Sequence, residues 1–114
     1  MQTPEFHIHV ADDGPLLTLA LTGELDLDAV DEVQEALAAH LGGRQALVID
    51  LSGLTFMDSS GINLMMNLWN RRDGTAVAFV APGDEVGRAL EISGVKELLT
   101  WVGDPADALG NIRQ

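Results

Sequence analysis

Apolar and polar residues alternate at the start of the chain. Phe6, Ile8 and Val10 fall on one side and His7 and His9 on the other, the period of a half-buried strand. Asp12-Asp13-Gly14 then reads as a hairpin turn, because glycine accepts the positive φ such a turn demands. Leu17, Leu19 and Leu21 share a face in a second strand over residues 16–22, so the chain opens with an antiparallel pair. Gly23-Glu24-Leu25-Asp26 is expected to break that strand, and Asp28 with Asp31 supplies an approximate N-capping arrangement for a helix. Val30, Val33, Leu37 and Leu41 recur at helical spacing until Gly42-Gly43 ends the element.

The pattern changes over residues 45–51, where Ala46, Leu47, Val48 and Ile49 run without alternation, as in a central strand covered on both faces. Ser52-Gly53 reads as a turn, residues 54–58 as a connecting segment, and residues 60–72 as a helix. In that helix Ile62, Met65, Met66 and Trp69 form a buried stripe, Asn63, Asn67 and Asn70 a polar face, and Leu64 and Leu68 an exposed margin. Arg71-Arg72-Asp73-Gly74 closes it, and residues 75–81 form another apolar strand. Pro82-Gly83-Asp84 opens a helix carrying Val86, Ala89, Leu90 and Ile92, which stops near Ser93-Gly94. Residues 95–102 read as a helical turn followed by an edge strand, and Asp104-Pro105 starts a last helix through Ala108, Leu109 and Ile112. Strands alternating with helices predict a single α/β domain over residues 1–114, with a mostly parallel mixed sheet, an antiparallel N-terminal hairpin and about four helices.

Composition narrows what such a domain does. With 114 residues, 46% of them hydrophobic, the chain has material for one core. Scaling laws put about 65% of the extended surface out of water on folding, so no metal or disulfide staple is required. The formal charge of −12 opposes binding to nucleic acid or to anionic lipid and favours partners with basic surfaces. The absence of cysteine excludes disulfides, thiolate catalysis and thiolate zinc sites. No secretory signal and no membrane-spanning apolar run is visible, so a cytoplasmic location is expected.

The richest chemistry lies in Phe56-Met57-Asp58-Ser59-Ser60-Gly61, between the buried strand and the asparagine-faced helix. Two hydroxyls and a carboxylate arrive where a helix presents unpaired amides. Helix capping explains these residues as well as function does, and the two are compatible. A nucleophilic serine is disfavoured: the elbow pattern needs glycine two residues before the serine, and Met57 and Asp58 stand there for Ser59 and Ser60. The histidines His7, His9 and His40 suggest no triad. His7 and His9 suggest no third metal ligand, and the run Glu24, Asp26, Asp28, Asp31 lacks a calcium-loop pattern. No nucleotide-binding glycine motif occurs, so neither cofactor nor metal is expected.

Several of these segments together resemble the STAS-domain anti-sigma factor antagonists of bacteria. The resemblance rests on Thr22-Gly23-Glu24-Leu25-Asp26, on Val48-Ile49-Asp50-Leu51-Ser52-Gly53-Leu54, and on Phe56-Met57-Asp58-Ser59-Ser60-Gly61-Ile62. Arg88-Ala89-Leu90 with Ser93-Gly94-Val95 and Leu98 extends it toward the C-terminus. The family resemblance implies a non-enzymatic switch, monomeric when free. Its unmodified form captures an anti-sigma factor that is also a serine kinase, and so releases a sigma factor. The kinase phosphorylates Ser59 and ends the capture, and a PP2C-type phosphatase restores it. The free amides and positive dipole end of the helix start are expected to accommodate that phosphate within the domain. Asp26, Asp58, Ser60 and Gly61 are implied around the acceptor, and Leu64 and Leu68 are expected as apolar contacts on the partner-facing margin. A scaffold subunit of a stressosome or lipid-transport complex is the alternative role; a small-ligand-binding or hydrolytic α/β protein is the distant third.

Overall fold

Gly14 takes the positive φ of 63° that the first turn requires, and β1 (His7–Asp13) folds back antiparallel on β2 (Leu16–Leu25). Arg44, in the loop before the third strand, fastens this turn to the end of the first helix. Its guanidinium pairs with the Asp12 carboxylate and donates to the Gly14 carbonyl at 2.8 Å, while Nε donates to the His40 carbonyl at 3.0 Å. The computed structural model describes residues 6–71 and 74–112, so Arg72 and Asp73, expected to close a helix, lie outside the described residues.

After β2 come α1 (Leu27–His40), β3 (Ala46–Met57), α2 (Ser59–Asn70), β4 (Ala76–Val80), α3 (Asp84–Ile92) and α4 (Asp107–Ile112). The sheet order is β1-β2-β3-β4, with β3 parallel to both β2 and β4. This is the expected single α/β domain with a mixed sheet. Leu17, Leu19 and Leu21 of β2, Leu47, Ile49 and Leu51 of β3, and Val77 and Phe79 of β4 point to one face. There they meet Val33 and Leu37 of α1, Leu64 and Met65 of α2, and Val86 and Leu90 of α3. Each fully buried side chain of this size is worth about 1.5–3 kcal/mol, so this face supplies most of the folding drive. The opposite face is thinner: Leu16, Ala46, Val48 and Ala78 pack against Ala108 of α4.

The structure corrects the expected boundaries around the sheet's C-terminal end. The segment 23–26 does not break β2, which runs to Leu25, and Ser52-Gly53 does not end β3, which runs to Met57. Both strands absorb the irregularity together. The β2–β3 register shifts between Ala20 and Thr22 and again between Gly23 and Glu24, and Gly23 takes a φ of 95°. A Cβ at Gly53 would stand 2.6 Å from Thr22 Cγ2 and 2.9 Å from the Leu21 carbonyl oxygen, so glycine is required there by close approach. The cap of α1 is Asp26 rather than Asp28. The edge strand expected within residues 95–102 shrinks to one bridge, Phe79 to Trp101, and Ile92 is 81% exposed rather than packed.

Candidate functional site

Parallel pairing brings two strand ends together. Leu25 and Met57 are register partners at the end of β2 and β3, both buried, and the next residues are Asp26 and Asp58. The two aspartates occupy equivalent positions, each in extended conformation, each capping the helix that follows. Asp26 Oδ1 accepts from the Ala29 amide at 2.9 Å; Asp58 Oδ1 accepts from the amides of Ser60 at 2.9 Å and Gly61 at 3.3 Å. The Asp58 amide donates to the Leu25 carbonyl at 3.3 Å and ties one helix start to the other. Two helix N-termini therefore open side by side at the C-terminal end of the two central strands.

Ser59 is the first residue of α2 and is exposed, whereas Ser60 and Asp58 are half-buried. The cap passes it by: Asp58 serves the amides of Ser60 and Gly61, and its own carbonyl accepts from Ile62 at 3.2 Å. Gly61 lets the first turn of α2 sit on the strand ends. A Cβ there would lie 2.6 Å from Met57 Cγ and 3.0 Å from Leu25 Cδ2. The ion pairs among the described residues, Arg44 with Asp12 and Lys96 with Glu91, belong to other parts of the surface. A nucleophile activated for turnover needs a base within hydrogen-bond reach, and here the nearby carboxylate is committed to backbone amides. The arrangement instead displays one hydroxyl outward from a rigid frame.

The family model described as "Mlab, STAS domain" matches residues 8–100. This chain belongs to the STAS-domain family. An anti-sigma-B factor antagonist of Staphylococcus aureus is 31% identical to this STAS domain over 81 residues, covering 68% of this chain and 74% of that protein. The crystal structure of an anti-sigma factor antagonist from Mycobacterium paratuberculosis shares the fold at a TM-score of 0.80, with 24% identity over 96% of each chain. The Bacillus cell fate determinant SpoIIAA in its phosphorylated form gives a TM-score of 0.65 at 19% identity, covering 95% of this chain and 99% of that one.

Of the residues singled out from the sequence, this STAS domain brings Asp26, Asp58, Ser59, Ser60 and Gly61 to that end of the central strands. Leu64 is elsewhere. It is only 2% exposed, in the core with Val33 and Leu37, which corrects its expected place on an open margin. Leu68 is half-buried and lines a cleft between α1 and α2 with Gln34, Leu37, Asn67 and Arg71, and the buried Leu64 forms part of that cleft's floor. The helical stripe is rotated accordingly: Leu64 and Met65 are buried, and Ile62, Met66 and Trp69 pack on the core from its border. Two exposed apolar residues beside the site were not assigned a role from the sequence, Leu27 at 64% exposure and Phe56, part of the quoted motif, at 47%. Each adjoins a capping strand end, and that adjacency was the available signal.

The capping geometry also alters one expectation about phosphate. The sequence suggests that the helix start would receive a phosphate through free amides. In the structure the Ser60 and Gly61 amides are already satisfied by the Asp58 carboxylate. An anion at Ser59 would therefore stand beside the Asp58 carboxylate and find those two amides occupied.

Proposed function

We propose that this STAS domain is an anti-sigma factor antagonist whose binding is switched off by phosphorylation of Ser59. In this reading the unmodified domain captures an anti-sigma factor with serine kinase activity and so frees a sigma factor. The kinase esterifies Ser59 at the expense of ATP, capture ends, and a PP2C-type phosphatase returns the hydroxyl. The domain is a substrate and a binding module without catalytic activity of its own. The observation that carries the reading is the exposed Ser59 hydroxyl, left outside the Asp58 cap, in a chain whose relative from Staphylococcus aureus is an anti-sigma-B factor antagonist.

The physics of such a switch requires no refolding. Phosphorylation adds about −1.5 to −2 charges. Each unit of like-charge repulsion across an interface at ~5 Å and an effective dielectric of ~20 costs about 3 kcal/mol, roughly a hundredfold in affinity. Asp26 and Asp58 frame the acceptor and set its direction, while Ser60 and Gly61 shape the helix start. The chain's charge of −12 favours encounter with a basic partner surface.

The test incubates the domain with ATP and candidate kinases encoded by its own genome, then maps added phosphate by peptide mass spectrometry. Ser59→Ala is expected to abolish labelling and keep capture; Ser59→Asp is expected to weaken capture. Normal labelling of Ser59→Ala would overturn the acceptor assignment. Capture indifferent to esterification would instead favour a scaffold-subunit role.

A further inference from the structure

β4 pairs with β3 only from Ala46 to Asp50, so beyond Leu51 the side of β3 facing away from β2 has no strand beside it among the described residues. That open edge, residues 53–57, borders a cavity of about 290 Å³ lined by Thr55, Phe56, Met57, Glu85, Val86 and Ala89, between β3 and the first turns of α3. Three features coincide there. An unpaired strand edge offers a row of backbone donors and acceptors. An apolar floor of Met57, Val86 and Ala89, with Phe56 at 47% exposure, offers a pocket for a side chain. The rim carries one acid, Glu85, from the first turn of α3.

We propose that this edge and groove form a strand-addition site for an extended peptide segment, its β-branched or leucine side chains entering the pocket and its flanks carrying Lys or Arg. Main-chain bonding to the edge supplies affinity, and the pocket with Glu85 on its rim supplies selection. The charge of −12 on the whole chain argues for the basic flanks and against a second copy of this chain as occupant. Five residues of strand span about 17 Å, enough for a short linear segment. Assigning that segment to the anti-sigma factor gated at Ser59 rests on the function proposed above; the groove itself does not.

The test is an amide-resolved NMR titration of the intact domain with a synthetic heptapeptide, three β-branched residues flanked on each side by Lys and Arg. Shifts are expected at residues 53–57 and in α3, with loss of binding when alternate peptide nitrogens are methylated. Phe56→Ser and Ala89→Arg are each expected to weaken binding about tenfold. Phe56 is exposed, so its replacement leaves the core intact, and Ala89→Arg blocks the groove from the opposite wall. The proposal is overturned by an absence of shifts, by shifts confined to β1, or by equal binding of a Glu-flanked peptide. Concentration-dependent shifts at residues 53–57 without peptide would also overturn it, by assigning the groove to self-association. The titration reads the groove alone, so its failure leaves the Ser59 assignment standing, and failed labelling of Ser59 leaves the groove standing.

Discussion

Asp26 and Asp58 stand in the same place on neighbouring strands, each one residue beyond the register pair Leu25 and Met57 and each the N-cap of its own helix. The Asp58 amide, bonded to the Leu25 carbonyl at 3.3 Å, makes the two starts one unit. Removing the Asp58 carboxylate leaves the Ser60 and Gly61 amides without their acceptor. We expect Asp58→Ala to cost about 1 kcal/mol in urea unfolding and Asp58→Asn markedly less, since asparagine caps as well as aspartate. Equal losses for both variants would mean that the charge, not the cap, holds this corner.

The same carboxylate sets how Ser59 responds to a negative charge. Because Asp58 already fills the Ser60 and Gly61 amides, an anion at Ser59 faces it as a like charge. Ser59→Asp is therefore expected to lower stability by up to about 1 kcal/mol, the scale of exposed charge pairs. In an Asp58→Asn background the penalty should shrink. A double-mutant cycle by chemical denaturation reads that coupling directly, and a cycle with no coupling would mean the two side chains point apart.

Gly61 predicts a steric effect. Both side chains that its Cβ would strike, Met57 and Leu25, are buried, so neither can swing into solvent. Gly61→Ala is expected to destabilise the fold by about 1–3 kcal/mol, although alanine is the better helix former. A neutral or stabilising result by calorimetry would show that the strand ends yield.

The clasp at Arg44 has a pH signature. The hydrogen bond from the Arg44 guanidinium holds the Asp12 carboxyl below its ordinary range, and the nearby positive charge assists. A depressed carboxylate pKa contributes stability that is present above the unfolded value and lost as pH falls through the folded one. The melting temperature of the wild type should therefore fall on acidification below about pH 4, and part of that fall should vanish in Asp12→Asn. The group is exposed, so the effect is small and is expected to diminish in high salt.

How much of this was legible beforehand varies by element and for physical reasons. Periodicity located β1, α1, α2 and the apolar half of β3, but it placed the buried stripe of α2 off Leu64, because packing against α1 decides which flank of a broad apolar face is covered. It missed the second half of β3 and the end of β2, where Gly23 and Gly53 resemble turn residues yet serve a shared irregularity within paired strands. Pairing with a distant strand is not encoded in a local pattern. The cap of α1 was displaced from Asp26 to Asp28 because several aspartates in succession satisfy the same capping preference, and only the backbone geometry separates them. At the site, Asp58, Ser59 and Gly61 were readable from residue type. The phosphate expectation was not, since which anion holds which amide depends on a side-chain rotamer.

Leu64 supplies the remaining test, because its burial changes how binding data must be interpreted. On an open helix margin, truncating it would leave stability untouched and weaken only capture. At 2% exposure, with Val33 and Leu37 as neighbours in the core, truncation instead opens a cavity under α2. We expect Leu64→Ala to cost about 2–5 kcal/mol, and Leu68→Ala, from a half-buried position, clearly less. Loss of capture by Leu64→Ala would then track the folded fraction and recover at lower temperature. Loss by Leu68→Ala would persist in fully folded protein and report a contact in the cleft between α1 and α2. A Leu64→Ala variant that unfolds at the wild-type denaturant concentration would return that residue to the surface and reverse the assignment.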